Sequence, residues 1–325
     1  MTSMAFALAL FFVSFLSLGY SGGLLVRSIT NIARFLRFSE YTAAFLLMSA
    51  ATSIPELFVG IAAANREVPA LSFGNVIGAN IVNVTLLIGL ASLFGGGLAV
   101  ESKISRRNFL LVSGLALLPI LLGLDGVIAR GDGVVLLVLF LFYLWSIARE
   151  REHFTASINH IRAHAVYMRT ALRSFLFFGL GVVVLLASAA TLVWSARVIV
   201  NTLAIGVFMF GALFVSLGTA LPEIAFSLKA AMLKRRSMAV GNALGSMAFT
   251  ATGVVGLVSV THPIAIAHRG PLLASGGFLL VGLILFNLFV AHRTTISRRE
   301  GALLVLVYVA YIGFLFSTYM LGLDI

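Results

Sequence analysis

The chain has 325 residues, of which 61% are hydrophobic and only 10% are charged, and it contains no cysteine. A soluble domain cannot bury so large an apolar fraction, so the composition excludes a soluble protein and indicates an all-α integral membrane protein. The net charge of +11 does not point to nucleic acid, because basic residues collect in the cytoplasmic loops of membrane proteins.

Ten apolar runs have roughly the length of a membrane-spanning helix, which takes about 20 residues. They lie at 4–25, 41–64, 70–97, 107–124, 133–148, 174–196, 203–230, 238–261, 270–291 and 301–322. The longest polar interruption, the basic segment 149–173, divides the chain into two five-helix units at 1–148 and 174–325. The first run has no basic flank and no cleavage site, so we expect a membrane helix there and not a signal peptide.

The loop charges predict the orientation of these helices. If the N-terminus is extracytoplasmic, 18 of the 22 lysines and arginines fall on the cytoplasmic side, and only Arg66, Arg130, Arg197 and Arg269 fall outside. This distribution follows the positive-inside rule. We therefore expect a multi-pass protein of the cell (plasma) membrane with both termini extracytoplasmic.

A short polar motif occurs twice in the apolar sequence, as Thr52-Ser53-Ile54-Pro55-Glu56 and as Thr219-Ala220-Leu221-Pro222-Glu223. The offset in numbering that takes Glu56 to Glu223 also pairs Gly74-Asn75 with Gly241-Asn242 and Gly78 with Gly245. The loop after the first motif is nearly neutral, whereas the loop after the second carries Lys234-Arg235-Arg236. Equivalent loops of opposite charge bias predict two inverted repeats, an architecture that places a transporter's substrate site between the halves at mid-membrane.

The motif residues suit a cation site. Pro55 and Pro222 each remove a helical hydrogen bond, so we expect helices 2 and 7 to be broken at the centre of the molecule and to expose carbonyl oxygens. Of the eleven acidic residues, only Glu56 and Glu223 lie deep in predicted spans, with no lysine or arginine at that depth. Two facing carboxylates repel, so the site should hold a cation or a proton. An all-oxygen site suits hard cations such as Ca²⁺ or Na⁺.

Each motif is followed by a Gly-x-x-x-Gly segment, Gly74–Gly78 and Gly241–Gly245. Small residues at this spacing let two helices approach closely. We expect a straight helix to pack against each broken one and to present polar side chains to the site. The candidates are Asn80, Asn83, Ser246 and Thr250.

These motifs resemble those of the cation/calcium exchanger superfamily, the sodium/calcium exchanger-like antiporters. That family carries Gly-Thr-Ser-x-Pro-Glu followed by Gly-Asn-x-x-Gly-Ser-Asn in both repeats. The resemblance implies that Glu56 and Glu223, with Thr52 and Thr219 largely through main-chain oxygens, bind Ca²⁺. It also implies flanking cation sites around a second set of residues: Ser53, Asn83, Ser246, Thr250, Ser49 and Ser216. In such relatives the first and sixth helices move against a core bundle.

The chain departs from the family pattern at several oxygen-bearing positions. The replacements are Ala51 for glycine, Ala220 and Ala79 for serine, Met247 for asparagine, and Thr250 for a carboxamide or carboxylate. The central glutamates are kept, whereas several flanking ligands are lost.

We therefore expect a secondary-active cation antiporter that exchanges Ca²⁺ for Na⁺ by alternating access around Glu56 and Glu223. The alternative within this class is proton-coupled exchange of Ca²⁺ or another cation. Remote alternatives are an intramembrane hydrolase that uses the two carboxylates as an acid–base pair, and a homologue that binds cations without transporting them. The expected partners are inorganic cations and the lipid bilayer. We expect no enzyme activity, no resident cofactor and a monomer as the functional unit.

Overall fold

A computed structural model describes residues 4–35, 49–99, 106–149, 164–293 and 295–320. Within these ranges the fold consists of helices and two short strand pairs. The helices are α1 Met4–Phe35, α2 Ser49–Thr52, α3 Ile54–Asn65, α4 Pro69–Ile81, α5 Ile88–Phe94, α6 Arg106–Leu122, α7 Arg130–Arg149, α8 His164–Leu203, α9 Val207–Phe210, α10 Ser216–Thr219, α11 Leu221–Met232, α12 Arg236–Ala248, α13 Val255–Thr261, α14 Arg269–Arg293 and α15 Arg298–Met320. The strands are β1 Leu98–Ala99, β2 Val127–Ile128, β3 Ile264–Ala265 and β4 Thr295–Ile296.

Eight helices of the described residues are long and apolar enough to cross a membrane, and the count is nine if the bent pair Val207–Thr219 and Leu221–Met232 is one span. Apolar side chains such as Leu16, Leu141 and Leu176 are more than half exposed on the outer helices, as expected for contact with lipid. The chain is thus a multi-pass membrane protein. The residues that precede α2, 36–48, lie outside the described ranges, so the count of ten helices stays a prediction.

The sequence repeat is visible in the bounds of the helices. The elements α2, α3, α4 and α5 recur as α10, α11, α12 and α13, and each first and last residue is shifted by the offset that separates Glu56 from Glu223. The π-helical turns Val82–Leu87 and Phe249–Val254 are equivalent as well. Thr85 and Thr252 donate their hydroxyls to carbonyls one turn back at these turns, an arrangement that often bends helices.

Two helices extend beyond the predicted spans. Helix α1 continues to Phe35 instead of ending near residue 25, and α8 begins at His164, inside the segment 149–173 that we expected to be a loop. Neither 26–35 nor 164–173 contains glycine or proline, so nothing in the sequence stops the helix. An apolar run marks the part of a helix in the membrane and not its ends.

The core is formed by the two straight spans Pro69–Phe94 and Met238–Thr261, which are largely buried. Helices α1 and α8 pack against each other along their length and lie against the elements that carry the motifs. Gly22 of α1 contacts both motif prolines. A β-carbon there would lie 2.6 Å from Cγ of Pro222 and 3.2 Å from Cγ of Pro55.

The predicted close approach at the Gly-x-x-x-Gly segment is confirmed in the first half. Gly74 and Gly78 lie directly against the backbone of the 207–219 segment, where a β-carbon would overlap the carbonyl oxygens of Phe208 and Ala212. The straight span of one half therefore packs against the broken helix of the other half.

The strands also join the two halves. Strand β1 pairs with β4, with Leu98 opposite Ile296, and β2 pairs with β3, with Ile128 opposite Ile264. Both pairs are antiparallel. They lie at opposite ends of α6, which β1 precedes and β2 follows in the chain.

Candidate cation site

Both motif glutamates stand at the start of a helix that follows a break. Helix α3 begins at Ile54 after a break at Ser53, and α11 begins at Leu221 after a break at Ala220, where the axis bends by 47°. Proline fits the first turn of each new helix because no intrahelical donor is needed there. Glu56 and Glu223 occupy that first turn, near the positive end of the helix dipole, where a negative charge is stabilised.

Glu56 and Glu223 are completely buried, and their carboxyl groups are close enough to interact electrostatically. No described residue donates a hydrogen bond to Oε1 or Oε2 of Glu56, nor to Oε2 of Glu223. Thr219 lies beside Glu56, but its hydroxyl is directed to Asn75 Oδ1 at 3.0 Å and to the Ser216 carbonyl at 3.2 Å. Three buried carboxyl oxygens thus lack a donor among the described residues and can accept from a cation or from a proton shared by the two carboxyl groups.

The second glutamate has hydroxyl neighbours. Ser246 Oγ donates to Glu223 Oε1 at 2.8 Å, and Ser53 Oγ lies 3.4 Å from the same oxygen. The two serine hydroxyls are 2.8 Å apart, and Thr52 Oγ1 lies 3.1 Å from Ser246 Oγ. Four predicted site residues are thus joined in one polar network.

Two equivalent hydrogen bonds cross between the halves. Thr52 Oγ1 donates to Asn242 Oδ1 at 3.2 Å, and Thr219 Oγ1 donates to Asn75 Oδ1 at 3.0 Å. We did not predict Asn75 and Asn242 as site residues. Their place in the Gly-Asn pair of both repeats was the signal that could have identified them.

The two halves of the site differ in polar groups. Ser53 and Ser246, which bond to Glu223, are matched at equivalent positions by Ala220 and Ala79. Alanine has no hydroxyl, which explains why Glu56 lacks the partners that Glu223 has. Asn242 donates to Ser227 at 3.2 Å, whereas Nδ2 of Asn75 has no described partner, because Gly60 occupies the position equivalent to Ser227.

Asn83 and Thr250 lie at equivalent positions in the two π-helical turns. Such turns are frequent at functional sites. Thr250 Oγ1 donates to Asn80 Oδ1 at 3.0 Å. Asn83 is fully buried, and neither its Oδ1 nor its Nδ2 has a partner among the described residues. The position equivalent to Asn80 is Met247, so the corresponding partner of Asn83 is missing.

All ten predicted site residues are buried. Ser216 Oγ donates to the Ala212 carbonyl at 2.6 Å inside its own helix segment. The Ser49 carbonyl accepts from Thr52 Oγ1 at 3.2 Å. The Ser216 hydroxyl and the Ser49 carbonyl thus take part in hydrogen bonds within the broken helices.

A cavity of about 1230 Å³ opens on one face of the molecule. It is lined by the loops that follow α3, α8 and α13, and by Phe73, Met209 and Phe314. Neither glutamate lines this cavity. Its loops all belong to the face that the charge distribution predicts to be extracytoplasmic.

The site offers two carboxylates and otherwise neutral oxygens. Among the described ranges, no group of three or more histidine, cysteine, aspartate or glutamate side chains is placed to hold a metal ion. A cation here would thus be bound by both glutamates together with hydroxyl, amide and carbonyl oxygens. Hard cations accept this kind of ligand set.

Comparison with known proteins identifies the family. The sequence model of the sodium/calcium exchanger protein family matches residues 6–148 and 173–317. Inner membrane protein YrbG of Escherichia coli (strain K12) is 29% identical over 96% of this chain and 98% of that protein. The putative antiporter CaxA of Alkalimonas amylolytica is 28% identical over 92% of this chain and 95% of that protein. A solved structure of the sodium-calcium exchanger NCX_Mj, soaked with Na⁺ and Sr²⁺, has a TM-score of 0.67 and 26% identity, and the match covers 96% of this chain and 99% of that one. The chain therefore belongs to the sodium/calcium exchanger protein family, a family of membrane transporters and not of enzymes.

Proposed function

We propose that this protein exchanges Ca²⁺ for Na⁺ across the membrane by alternating access around a central site at Glu56 and Glu223. The proposal rests on two buried carboxyl groups that interact electrostatically and of which three oxygens have no hydrogen-bond donor in the described part of the chain. Unpaired charge in the membrane interior is costly, about 2.5–3.5 kcal/mol or more for an acidic residue. A bound cation removes this cost, and the relatives support a cation as the substrate.

The proposed architecture is ten membrane helices in two inverted five-helix repeats, 1–148 and 174–325, joined by the basic segment 149–173. The equivalent helix bounds, all related by one offset, support the repeat. The charge bias of the loops supports the inversion and the extracytoplasmic termini. In this orientation the cavity on the face of the α3–α4 loop serves as the extracytoplasmic vestibule, and the exchanger works in the cell membrane as a monomer.

The proposed ligands of Ca²⁺ are Glu56, Glu223, Thr52 and Thr219. The proposed flanking positions are Ser53, Asn83, Ser246, Thr250, Ser49 and Ser216. The free amide oxygen of Asn83 and the hydroxyl network of Ser53 and Ser246 support this assignment, because each supplies a neutral oxygen in the buried region. Outward movement of Ca²⁺ is the direction that an inward Na⁺ gradient would drive.

The test is ion flux in proteoliposomes that contain the purified full-length chain. We expect Ca²⁺ uptake to require an opposing Na⁺ gradient and to be abolished in Glu56→Gln and in Glu223→Gln. Both variants should also lose stabilisation by Ca²⁺ in thermal unfolding. Asp125→Asn is the matched control and should retain both, because Asp125 is exposed and does not line the cavity, and asparagine keeps an acceptor for the backbone N–H of Val127. Full exchange in either site variant would refute the shared-site proposal.

Proton-coupled exchange is the second candidate, and one observation favours it. Ala79 and Ala220 remove the hydroxyls that would flank Glu56, so Na⁺ finds fewer oxygens there, whereas a proton needs only the carboxylate. Ca²⁺ flux that follows an imposed proton gradient and ignores Na⁺ would favour this coupling. Ca²⁺ movement that is equal without either gradient would contradict antiport altogether.

A further inference from the structure

Two arginines converge on an open position at the end of the first straight span. Gly96 and Gly97 follow α5 with φ angles of +73° and +91°, a left-handed backbone that glycine adopts without strain. A β-carbon built on Gly96 would lie 3.9 Å from Nη2 of Arg298 and 4.0 Å from Nη2 of Arg236, with no other described heavy atom within 4 Å. The turn thus leaves a space bordered by two guanidinium groups.

The arginines come from two different helices and one of them is held in place. Arg236 begins α12 and Arg298 begins α15. Arg236 Nη2 donates to the Gly95 carbonyl at 3.2 Å. Its Nε is buried and has no partner among the described residues. A half-buried guanidinium with unused donors, fixed beside a second one, favours an anionic ligand.

No carboxylate of the described residues neutralises this pair. The nearest acidic residue in α15, Glu300, directs Oε2 to the backbone N–H of Ser297 at 2.7 Å. The corner of the fold at β2 and β3 is different. It has two arginines, Arg130 at the start of α7 and Arg269 beside the Asp125 carbonyl, and two carboxylates, those of Asp125 and Asp132, so its charges balance. The excess of positive charge is thus specific to the Gly96 corner.

Exposed apolar residues are next in sequence to Gly95, whose carbonyl accepts from Arg236, and to Ala231. Gly95 packs against Ala231, where a β-carbon on Gly95 would lie 3.0 Å from the Ala231 β-carbon. The neighbours of these residues in sequence, Phe94, Met232 and Leu233, are each 62% exposed. A ligand that combines a phosphate with hydrocarbon chains fits both features, whereas free phosphate uses only the guanidinium groups.

We propose that Arg236 and Arg298, with the turn 95–97, form a binding site for the headgroup phosphate of an anionic phospholipid. The acyl chains would lie along Phe94, Met232 and Leu233. Basic pockets between membrane helices on the cytoplasmic side are suited to such headgroups, and the loop charges predict that this corner faces the cytoplasm. The lipid would hold the turn after α5 to the starts of α12 and α15.

The test compares lipid retention by the delipidated full-length protein in detergent, measured by native mass spectrometry. The probes are dioleoylphosphatidylglycerol, dioleoylphosphatidylcholine and inorganic phosphate. We expect the unchanged protein to retain the anionic dioleoylphosphatidylglycerol in preference to the zwitterionic dioleoylphosphatidylcholine. R236Q/R298Q should lower this retention about tenfold or more, since it removes both guanidinium groups from the phosphate. The control R235Q/R299Q removes the same charge from exposed neighbours and should retain the lipid.

R298Q alone keeps the Arg236–Gly95 hydrogen bond and therefore tests the site even if the double variant unfolds. We expect R298Q to weaken retention and R298K to restore part of it. Equal retention by R298Q and the unchanged protein would overturn the proposal, and so would equal loss in the control pair, which would indicate unspecific charge attraction. If inorganic phosphate binds and the protein does not prefer phosphatidylglycerol to phosphatidylcholine, the site binds a soluble anion and the lipid proposal is wrong.

Discussion

At the scale of single residues, the two glutamates occupy equivalent positions but have unequal surroundings. Glu223 Oε1 has two serine hydroxyls near it, and a hydrogen bond to a charged group contributes about 1.5–3 kcal/mol. Neither oxygen of Glu56 has such a bond among the described residues. In the proposed site, a bound cation would supply the partner that the described residues do not give to the oxygens of Glu56.

Returning the missing hydroxyls should change the use of Na⁺. In Ala79→Ser/Ala220→Ser, the new hydroxyls would lie where the equivalents of Ser246 and Ser53 bond to the other glutamate. We expect the apparent Na⁺ affinity in Ca²⁺ exchange to rise about three- to tenfold, the effect of one net hydrogen bond or its ion-ligand equivalent. The measurement is Ca²⁺ flux as a function of Na⁺ concentration.

The matched control for this variant is Ala116→Ser, which adds a hydroxyl to a buried position of α6, a helix that carries none of the proposed site residues. Its Na⁺ dependence should not change. If the double variant folds and its Ca²⁺ flux depends on Na⁺ as in the unchanged protein, Ala79 and Ala220 do not weaken Na⁺ binding and the prediction is wrong.

At the scale of helices, close backbone contact holds the broken and straight elements together. Gly74 has no room for a side chain because the Phe208 carbonyl lies against it. In Gly74→Ala the backbone of the 207–219 segment must move, which should lower the free energy of unfolding by about 1–3 kcal/mol. Gly277→Ala is the control, since no atom of the described residues lies within 4 Å of a β-carbon there. Thermal unfolding in detergent measures both, and an equal midpoint for Gly74→Ala and Gly277→Ala would contradict the packing argument.

Sequence patterns predicted some of these elements better than others. Pro55 and Pro222 predicted the helix breaks, because a missing backbone donor has the same local effect in any environment. The predicted ends of α1 and α8 were wrong, because the length of an apolar run reflects the thickness of the membrane and a helix can continue beyond it. The Gly-x-x-x-Gly pattern predicted the close contact at Gly74 and Gly78 correctly, but the partners of Asn75 and Asn242 lie in the opposite half. No local pattern specifies such a contact.

The unequal network around the glutamates also lay partly beyond the sequence. The replacements Ala79, Ala220 and Met247 could be seen by comparing the repeats. Their consequence, free acceptors on Glu56 and a buried Asn83 without partners, depended on which side chains meet across the halves. The sequence gives no sign that Gly60 matters, because its effect is to leave Nδ2 of Asn75, which is distant in sequence, without a described partner.

At the scale of the whole molecule, the proposed inversion can be tested directly because the chain contains no cysteine. Glu67 and Lys234 are related by the same offset as the two glutamates and occupy equivalent turns, with φ of 59° and 62°. In intact cells, Glu67→Cys should react with a membrane-impermeant maleimide, whereas Lys234→Cys should react only after the membrane is opened. Labelling of both from the same side would contradict the inverted arrangement.

The contact of Gly22 with both motif prolines joins the two halves at a point that carries no charge. Helix α1 touches Pro55 from one broken helix and Pro222 from the other through the same missing side chain. If α1 slides along its axis, Gly22 must move past both prolines at the same time. The two helix breaks are therefore sterically coupled, without any electrostatic interaction between them. One methyl group at this position would oppose movement in both halves together.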